Sequence, residues 1–237
     1  NGLYPDLCVM AYVTDIVPME MIDGPTHGTI QYHPSLLPLH RGPSSINWPI
    51  MMGETRTGLT IFWPDEGLDT GPVLLQKEVQ IGPDDTLGSV YFNSLYPMGI
   101  SAMLESIDLV RDGNAPKIVQ DESKATYESW VKASDGAIDW LLPAQQIYNV
   151  IRGCNPQPGA GSTYADERLR IFDSALGTSG MSGSEPGTVI SSGEEGFEVA
   201  TGDGSVLVKR VQRHGGQKEP AAEFASAAGL KIGDRLG

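Results

Sequence analysis

The chain has 237 residues, 40% of them hydrophobic and 7% aromatic, and a formal net charge of −14. That is enough apolar material for a real core in one or two domains, so a disordered chain is excluded. The acidity excludes the electrostatic footprint of a general nucleic-acid binder, and no DNA partner is expected.

The charge is uneven: six basic against seventeen acidic residues up to position 129, and ten against thirteen beyond it. Lys209, Arg210, Arg213 and Lys218 are the best candidates for a local basic patch, although most such clusters are solvated faces. The longest apolar runs, such as Leu7–Val13, are too short to cross a bilayer, and no signal-peptide pattern opens the chain. Cys8 and Cys154 are too far apart in sequence for a disulfide framework or a zinc motif, which fits a reducing, cytoplasmic setting.

In chain order, Leu7–Val13 reads as a buried parallel strand. It begins almost at once, with no earlier strand to lie against, so the N-terminal part of a larger domain is expected to be absent. Pro18–Ile22 starts a short helix, and Gly28–Tyr32 is a second strand ending at His33. Ser44–Met52 reads as a helix, Thr57–Trp63 as a third strand and Val73–Ile81 as a fourth. Asp85 or Thr86 caps a long helix to about Asp112, with Leu87, Val90, Tyr91, Leu95, Met98, Met103, Leu104 and Ile107 inward and a kink at Pro97. This alternation predicts a mixed or parallel α/β sheet.

Residues 113–135 turn polar and read as a linker. Pro143–Arg152 is a helix with Ile147, Val150 and Ile151 on one face. Short strands follow at Leu169–Phe172, Gly187–Ile190, Phe197–Ala200 and Val206–Val211, a spacing that suggests a small β-barrel. Gly177–Gly187 is rich in Gly and Ser and reads as a loop.

The chemistry gathers at two turns. His33 ends a strand and is followed by Pro34, so its imidazole is expected at the sheet's carboxyl edge, where it can act as a general acid or base. Asp69, in Gly67-Leu68-Asp69-Thr70-Gly71, lies in a loop between strands within reach of that edge. A carboxylate there would fix the imidazole's tautomer and stabilise its charged form. The bland alternative is a capping Asp and a half-buried structural His. His27, His33 and His40 are six and seven residues apart across Pro and Gly, which suits no compact metal site. His214 reads as a surface residue.

His33–Pro38, Arg41-Gly42, Ile46-Asn47-Trp48, Gly53 and Leu68-Asp69-Thr70-Gly71 together closely resemble the folate-dependent formyltransferase family. Arg152–Ala160 resembles that family's entry to its C-terminal barrel. The resemblance implies a partial Rossmann-like catalytic domain over 1–115, a linker over 116–135 and a small OB-like β-barrel over 136–237.

It also implies 10-formyltetrahydrofolate as formyl donor, no metal, and a catalytic trio of His33, Asp69 and Gln31. Transferases of the family usually have Asn two residues before the His, where its amide serves the developing oxyanion; Gln31 is one methylene longer. Ser35, Leu36, Leu37 and Pro38, with Asp15, Ile16 and Val17, would line the folate site, against a plain turn-packing alternative.

Pro18–Ile22 and Phe172–Gly180 resemble the branch that hydrolyses 10-formyltetrahydrofolate. The closing Gly233–Gly237 resembles the end of a stand-alone transferase, and a C-terminal barrel is what transfer-RNA formyltransferases use to hold their acceptor. The expected function is therefore formyl transfer of the methionyl-tRNA formyltransferase kind, in one-carbon metabolism and protein biosynthesis, with initiator methionyl-tRNA as candidate partner. Hydrolysis with water as acceptor is the alternative, and a non-catalytic folate-binding role is a third.

Overall fold

The computed structural model describes residues 5–11, 13, 15–178 and 183–237. Two compact units emerge: Asn1–Pro49 with Glu54–Pro83 and Ser89–Trp130, and Ile50–Gly53 with Asp84–Gly88 and Val131–Gly237.

The first unit is a four-stranded mixed sheet in chain order. Its strands are β1 (Cys8–Met10), β2 (Thr29–His33), β3 (Arg56–Phe62) and β4 (Val73–Gln80). β1 runs parallel to β2, and the other pairs are antiparallel. β1 is shorter than the expected Leu7–Val13 because it pairs only where Thr29–Gln31 runs beside it; Tyr12 of that expectation lies outside the described residues. β3 is an inner strand, and Thr57–Phe62 are all buried, as a strand covered on both faces requires. β4 alternates between covered and exposed positions.

A short helix α1 (Met19–Ile22) precedes β2, and α2 (Asn47–Met51) precedes β3. The expected long helix is three pieces: α3 (Leu87–Val90), a π-helical turn Tyr91–Leu95, and α4 (Tyr96–Arg111). In the π turn, the Tyr96 N–H bonds the Tyr91 carbonyl five residues back. Pro97 has no N–H for the regular ladder, so the irregularity falls in the turn just before it.

The buried face of α4 is Gly99, Ala102, Ser106 and Val110, not the expected Met98, Met103 and Leu104, and Leu104 is exposed. Small residues are needed there. A Cβ added at Gly99 would stand 2.8 Å from the Tyr32 ring. Ile30, Leu59, Ile61 and Leu95 are fully buried in this unit. Each contributes about 1.5–3 kcal/mol from apolar burial.

Residues 116–130, the first part of the expected linker, are not a free tether. They lie along the first unit and bond it at nearly every second residue. Trp63 Nε1 donates to Pro116 O at 2.9 Å, Val73 and Ile118 exchange backbone bonds, and Trp48 Nε1 donates to Ser129 O at 2.9 Å.

The second unit is a six-stranded antiparallel sheet with two helices. Its strands are β5 (Ala160–Tyr164), β6 (Glu167–Leu176), β7 (Val189–Gly193), β8 (Gly196–Ala200), β9 (Ser205–Arg213) and β10 (Lys218–Pro220). The order is β5-β6-β9-β8-β7, with β10 beside β9. Among the described residues the strands at the two ends of that path, β5 and β7, do not pair with each other as a closed barrel would need. Residues at the C-terminus reach both instead. Gly237 exchanges backbone bonds with Thr163, and Asp234 O accepts from Val189 N at 2.8 Å.

Helix α5 (Ala144–Gly153) buries Ile147, Tyr148 and Ile151, and helix α6 (Ala221–Ala228) buries Phe224. Their core includes Ile171, Val189, Phe197, Val199, Val208 and Val211, all fully buried. β5 and α6 go unpredicted by pattern. Ala-Gly-Ser-Thr-Tyr has no apolar alternation, but α6 carries a legible signal: an Ala-rich run between Pro220 and Gly229, the latter left-handed at φ +67°. Of the expected Gly177–Gly187 loop, and of the Phe172–Gly180 run, residues 179–182 lie outside the described residues. Among the described residues no helix is long and apolar enough to cross a membrane.

Candidate active site

β2 delivers the first half of the site. Side chains alternate across a strand, so Gln31 and His33 share one face while Ile30 and Tyr32 take the other. His33 pairs with Thr60 of β3 and Gln31 with Phe62. Pro34 then ends the strand, and the turn that follows folds back onto the His33 face. Two side chains hold it there. Thr60 Oγ1 donates to Ser35 O at 2.7 Å and accepts from Leu37 N at 3.1 Å. Gln76 Nε2 donates to Leu37 O at 2.7 Å and to Thr60 Oγ1 at 2.9 Å. Ser35 Oγ donates to Leu39 O at 2.6 Å.

The turn's end aims a carbonyl at the imidazole. His40 sits in the left-handed region at φ +54°, and its carbonyl oxygen lies 2.9 Å from His33 Nε2. A carbonyl accepts and never donates, so Nε2 carries the proton. The other nitrogen, Nδ1, is 3.6 Å from Asp69 Oδ2, beyond a direct hydrogen bond but well within Coulomb range. Both residues are buried, His33 at 5% and Asp69 at 6% exposure. Burial lowers the His33 pKa from its ordinary value, opposed in part by the Asp69 carboxylate and the His40 carbonyl bond. The resting ring is therefore neutral, with the Nδ1 lone pair facing Asp69.

Asp69 is held from a distance. It is left-handed at φ +57°, and its Oδ2 accepts from Gly42 N at 2.8 Å. Gln120 Nε2 donates to the carbonyls of Asp69 (2.9 Å) and Gly71 (2.7 Å). Gln120 Oε1 in turn accepts from Arg41 Nε (3.3 Å) and Nη2 (2.9 Å), and Arg41 also pairs with Glu122 at 2.6 Å. Two glycines are dictated by close approach. A Cβ at Gly71 would lie 1.8 Å from Trp63 O, and at Gly42, with φ +105°, 2.3 Å from Glu128 O.

The structure thus brings His33 and Asp69 together and puts Gln31, half-buried, on the His33 face. Ser35 and Leu37 are buried as parts of the turn, while Leu36 and Pro38 are half-buried. Asp15, Ile16 and Val17 lie in the stretch before α1. Ile16 is 95% exposed, and none of the three makes the hydrogen bonds that build the site. Sequence reasoning misses Thr60, Gln76, Gln120, Glu122 and Glu128, and considers His40 only in a metal spacing that it sets aside. Arg41-Gly42 is the one signal that could have pointed to this network.

The first 105 residues match the family described as Formyl transferase, and residues 131–229 match Formyl transferase, C-terminal domain. The cytosolic 10-formyltetrahydrofolate dehydrogenase of Mus musculus is 42% identical over 234 residues, 94% of this chain and 26% of that protein. The methionyl-tRNA formyltransferase of Symbiobacterium thermophilum is 39% identical over 232 residues, 98% of this chain and 71% of that protein. Among solved structures, HypX from Aquifex aeolicus in complex with tetrahydrofolic acid superposes with a TM-score of 0.80 at 21% identity, covering 96% of this chain and 40% of that one. The chain belongs to the formyl transferase family. It spans about a quarter of the length of the dehydrogenases it matches.

Proposed function

We propose that this chain transfers the formyl group of 10-formyltetrahydrofolate to a nucleophile, with His33 as general base. The observation that carries this reading is the buried His33–Asp69 pair, with Nε2 committed to a carbonyl and Nδ1 left basic beside a carboxylate. The nucleophile attacks the formyl carbon and gives its proton to His33 Nδ1. Asp69 stabilises the imidazolium so formed, and the Gln31 carboxamide donates to the formyl oxygen as it gains charge. The carbon–nitrogen bond to the folate then breaks. The proton passes from His33 to the folate nitrogen, and tetrahydrofolate leaves. Leu36, Leu37 and Pro38, with Ser35, are proposed to form the wall of the folate site nearest His33, and Asp15, Ile16 and Val17 its outer rim.

The first reading of the acceptor is the amine of initiator methionyl-tRNA, supported by the similarity to the Symbiobacterium enzyme across most of that protein's length. Water as acceptor is the second reading, favoured by the identity to the 10-formyltetrahydrofolate dehydrogenases. The test supplies 10-formyltetrahydrofolate and follows tetrahydrofolate with and without charged initiator transfer RNA. Release that needs the RNA supports transfer, and release without it supports hydrolysis. No release from a folded protein that binds folate leaves the non-catalytic role. Full activity in His33→Ala would overturn the mechanism under either acceptor.

A further inference from the structure

His40 lies outside the catalytic pair, yet it is buried at 5% exposure and both of its ring nitrogens are engaged. Nδ1 is 3.1 Å from Glu128 Oε2, and Nε2 is 3.1 Å from Glu54 Oε1. Carboxylates accept, and a neutral imidazole can donate from one nitrogen only. Both ring nitrogens can donate at once only as N–H groups, so the ring is clamped between two acidic side chains. The main chain of the same residue is fixed as well. His40 N donates to Thr126 Oγ1 at 2.8 Å, and Arg41 exchanges backbone bonds with Thr126 and Glu128.

These contacts surround a residue in the left-handed region, at φ +54°, which is uncommon for a residue with a Cβ. The consequence is the direction of one group. In that conformation the His40 carbonyl is the acceptor for His33 Nε2 at 2.9 Å.

We infer that His40 is a positioning residue: its ring, clamped by Glu54 and Glu128, holds its own carbonyl against His33 Nε2 and so keeps His33 in the one tautomer whose basic nitrogen faces Asp69. The inference rests on the proposed formyl transfer for its activity readout, but its tautomer readout stands apart from any substrate. Without the clamp, the left-handed turn relaxes and the carbonyl swings away. His33 then populates the tautomer with its proton on Nδ1, which cannot accept one from the nucleophile. The loss falls on kcat rather than on folate KM, because folate is not what His40 touches.

The experiment measures ring-nitrogen chemical shifts of isotope-labelled histidines at neutral pH, with steady-state kinetics on 10-formyltetrahydrofolate alongside. In the wild type, His33 is expected to show a protonated Nε2 and an unprotonated Nδ1, and His40 two protonated nitrogens. His40→Asn keeps a residue that tolerates the left-handed conformation but removes the clamp. It should mix the His33 tautomers and lower kcat about tenfold with KM nearly unchanged. Glu128→Gln preserves the shape of the site and covers the case in which His40→Asn fails to fold. It should move the same shifts in the same direction by a smaller amount and lower kcat about threefold.

A folded variant that keeps a single His33 tautomer with full kcat overturns the inference. So does a variant that loses melting temperature alone, since that marks a structural role. If the wild type turns over no formyl-folate, the proposed reaction fails while the tautomer shifts still decide the positioning role.

Discussion

The two turns that carry the proposed catalytic pair, His33 and Asp69, are held in different ways. The His33 turn is fastened to the sheet it has just left. Thr60 on β3 and Gln76 on β4 bond Ser35 and Leu37. The Asp69 turn is tied locally at its flanks, where Gly67 N donates to Asp65 Oδ1 at 3.0 Å and Trp63 N to Pro72 O at 2.9 Å. Its carbonyls depend on Gln120, fifty-one residues on, and Gln120 depends on Arg41, which sits beside the His33 turn. The strap from Pro116 to Ser129, which has the composition of a connector, thus holds the Asp69 side of the site.

The largest expected effect tests the pair itself. Asp69→Asn leaves an amide that cannot stabilise the imidazolium and should lower kcat about a hundredfold or more, read in single-turnover release of tetrahydrofolate.

The next tests the strap. Gln120→Ala leaves the Asp69 and Gly71 carbonyls and the Arg41 donors without their partner. It should cost about 1–3 kcal/mol in denaturant unfolding and lower kcat about tenfold.

Thr60→Val tests the other turn. It removes three hydrogen bonds beside Ser35 and Leu37 and should cost a similar 1–3 kcal/mol in denaturant unfolding. The kcat loss should stay within about threefold, because Gln76 still bonds Leu37. Equal kcat losses in Gln120→Ala and Thr60→Val would erase the distinction between the two turns.

Lys77→Ala, at a partly exposed pair with Glu105, should change stability by less than about 1 kcal/mol and leave kcat alone.

Much of the first unit is legible in the sequence because its strands are short, apolar and punctuated by Gly and Pro. The meeting of His33 and Asp69 is legible too, since His33-Pro34 and Leu68-Asp69-Thr70-Gly71 are local signals. What holds them is not. Gln120, Glu122 and Glu128 meet His40 and Arg41 across about eighty residues, and nothing in a polar stretch marks which side chain will find a partner that far away. The inner face of α4 differs from the expected one for a different reason: after the π turn it is carried mainly by the small residues Gly99, Ala102 and Ser106, which an apolar pattern passes over. In the second unit, α6 was legible from Pro220, its alanines and Gly229. The reach of Asp234–Gly237 to both β5 and β7 has no local signature.

In the proposed mechanism His33 acts as a neutral base whose conjugate acid is stabilised by Asp69. The pH dependence of single-turnover formyl release, in the wild type and in Asp69→Asn, tests it most directly. Burial lowers the His33 pKa and Asp69 raises it. The wild-type rate should therefore hold at neutral pH and fall only as the pH drops through a midpoint below the ordinary histidine value. In Asp69→Asn the residual rate should show that midpoint at still lower pH. A wild-type midpoint at or above the ordinary histidine value, or one that Asp69→Asn leaves in place, would contradict the account.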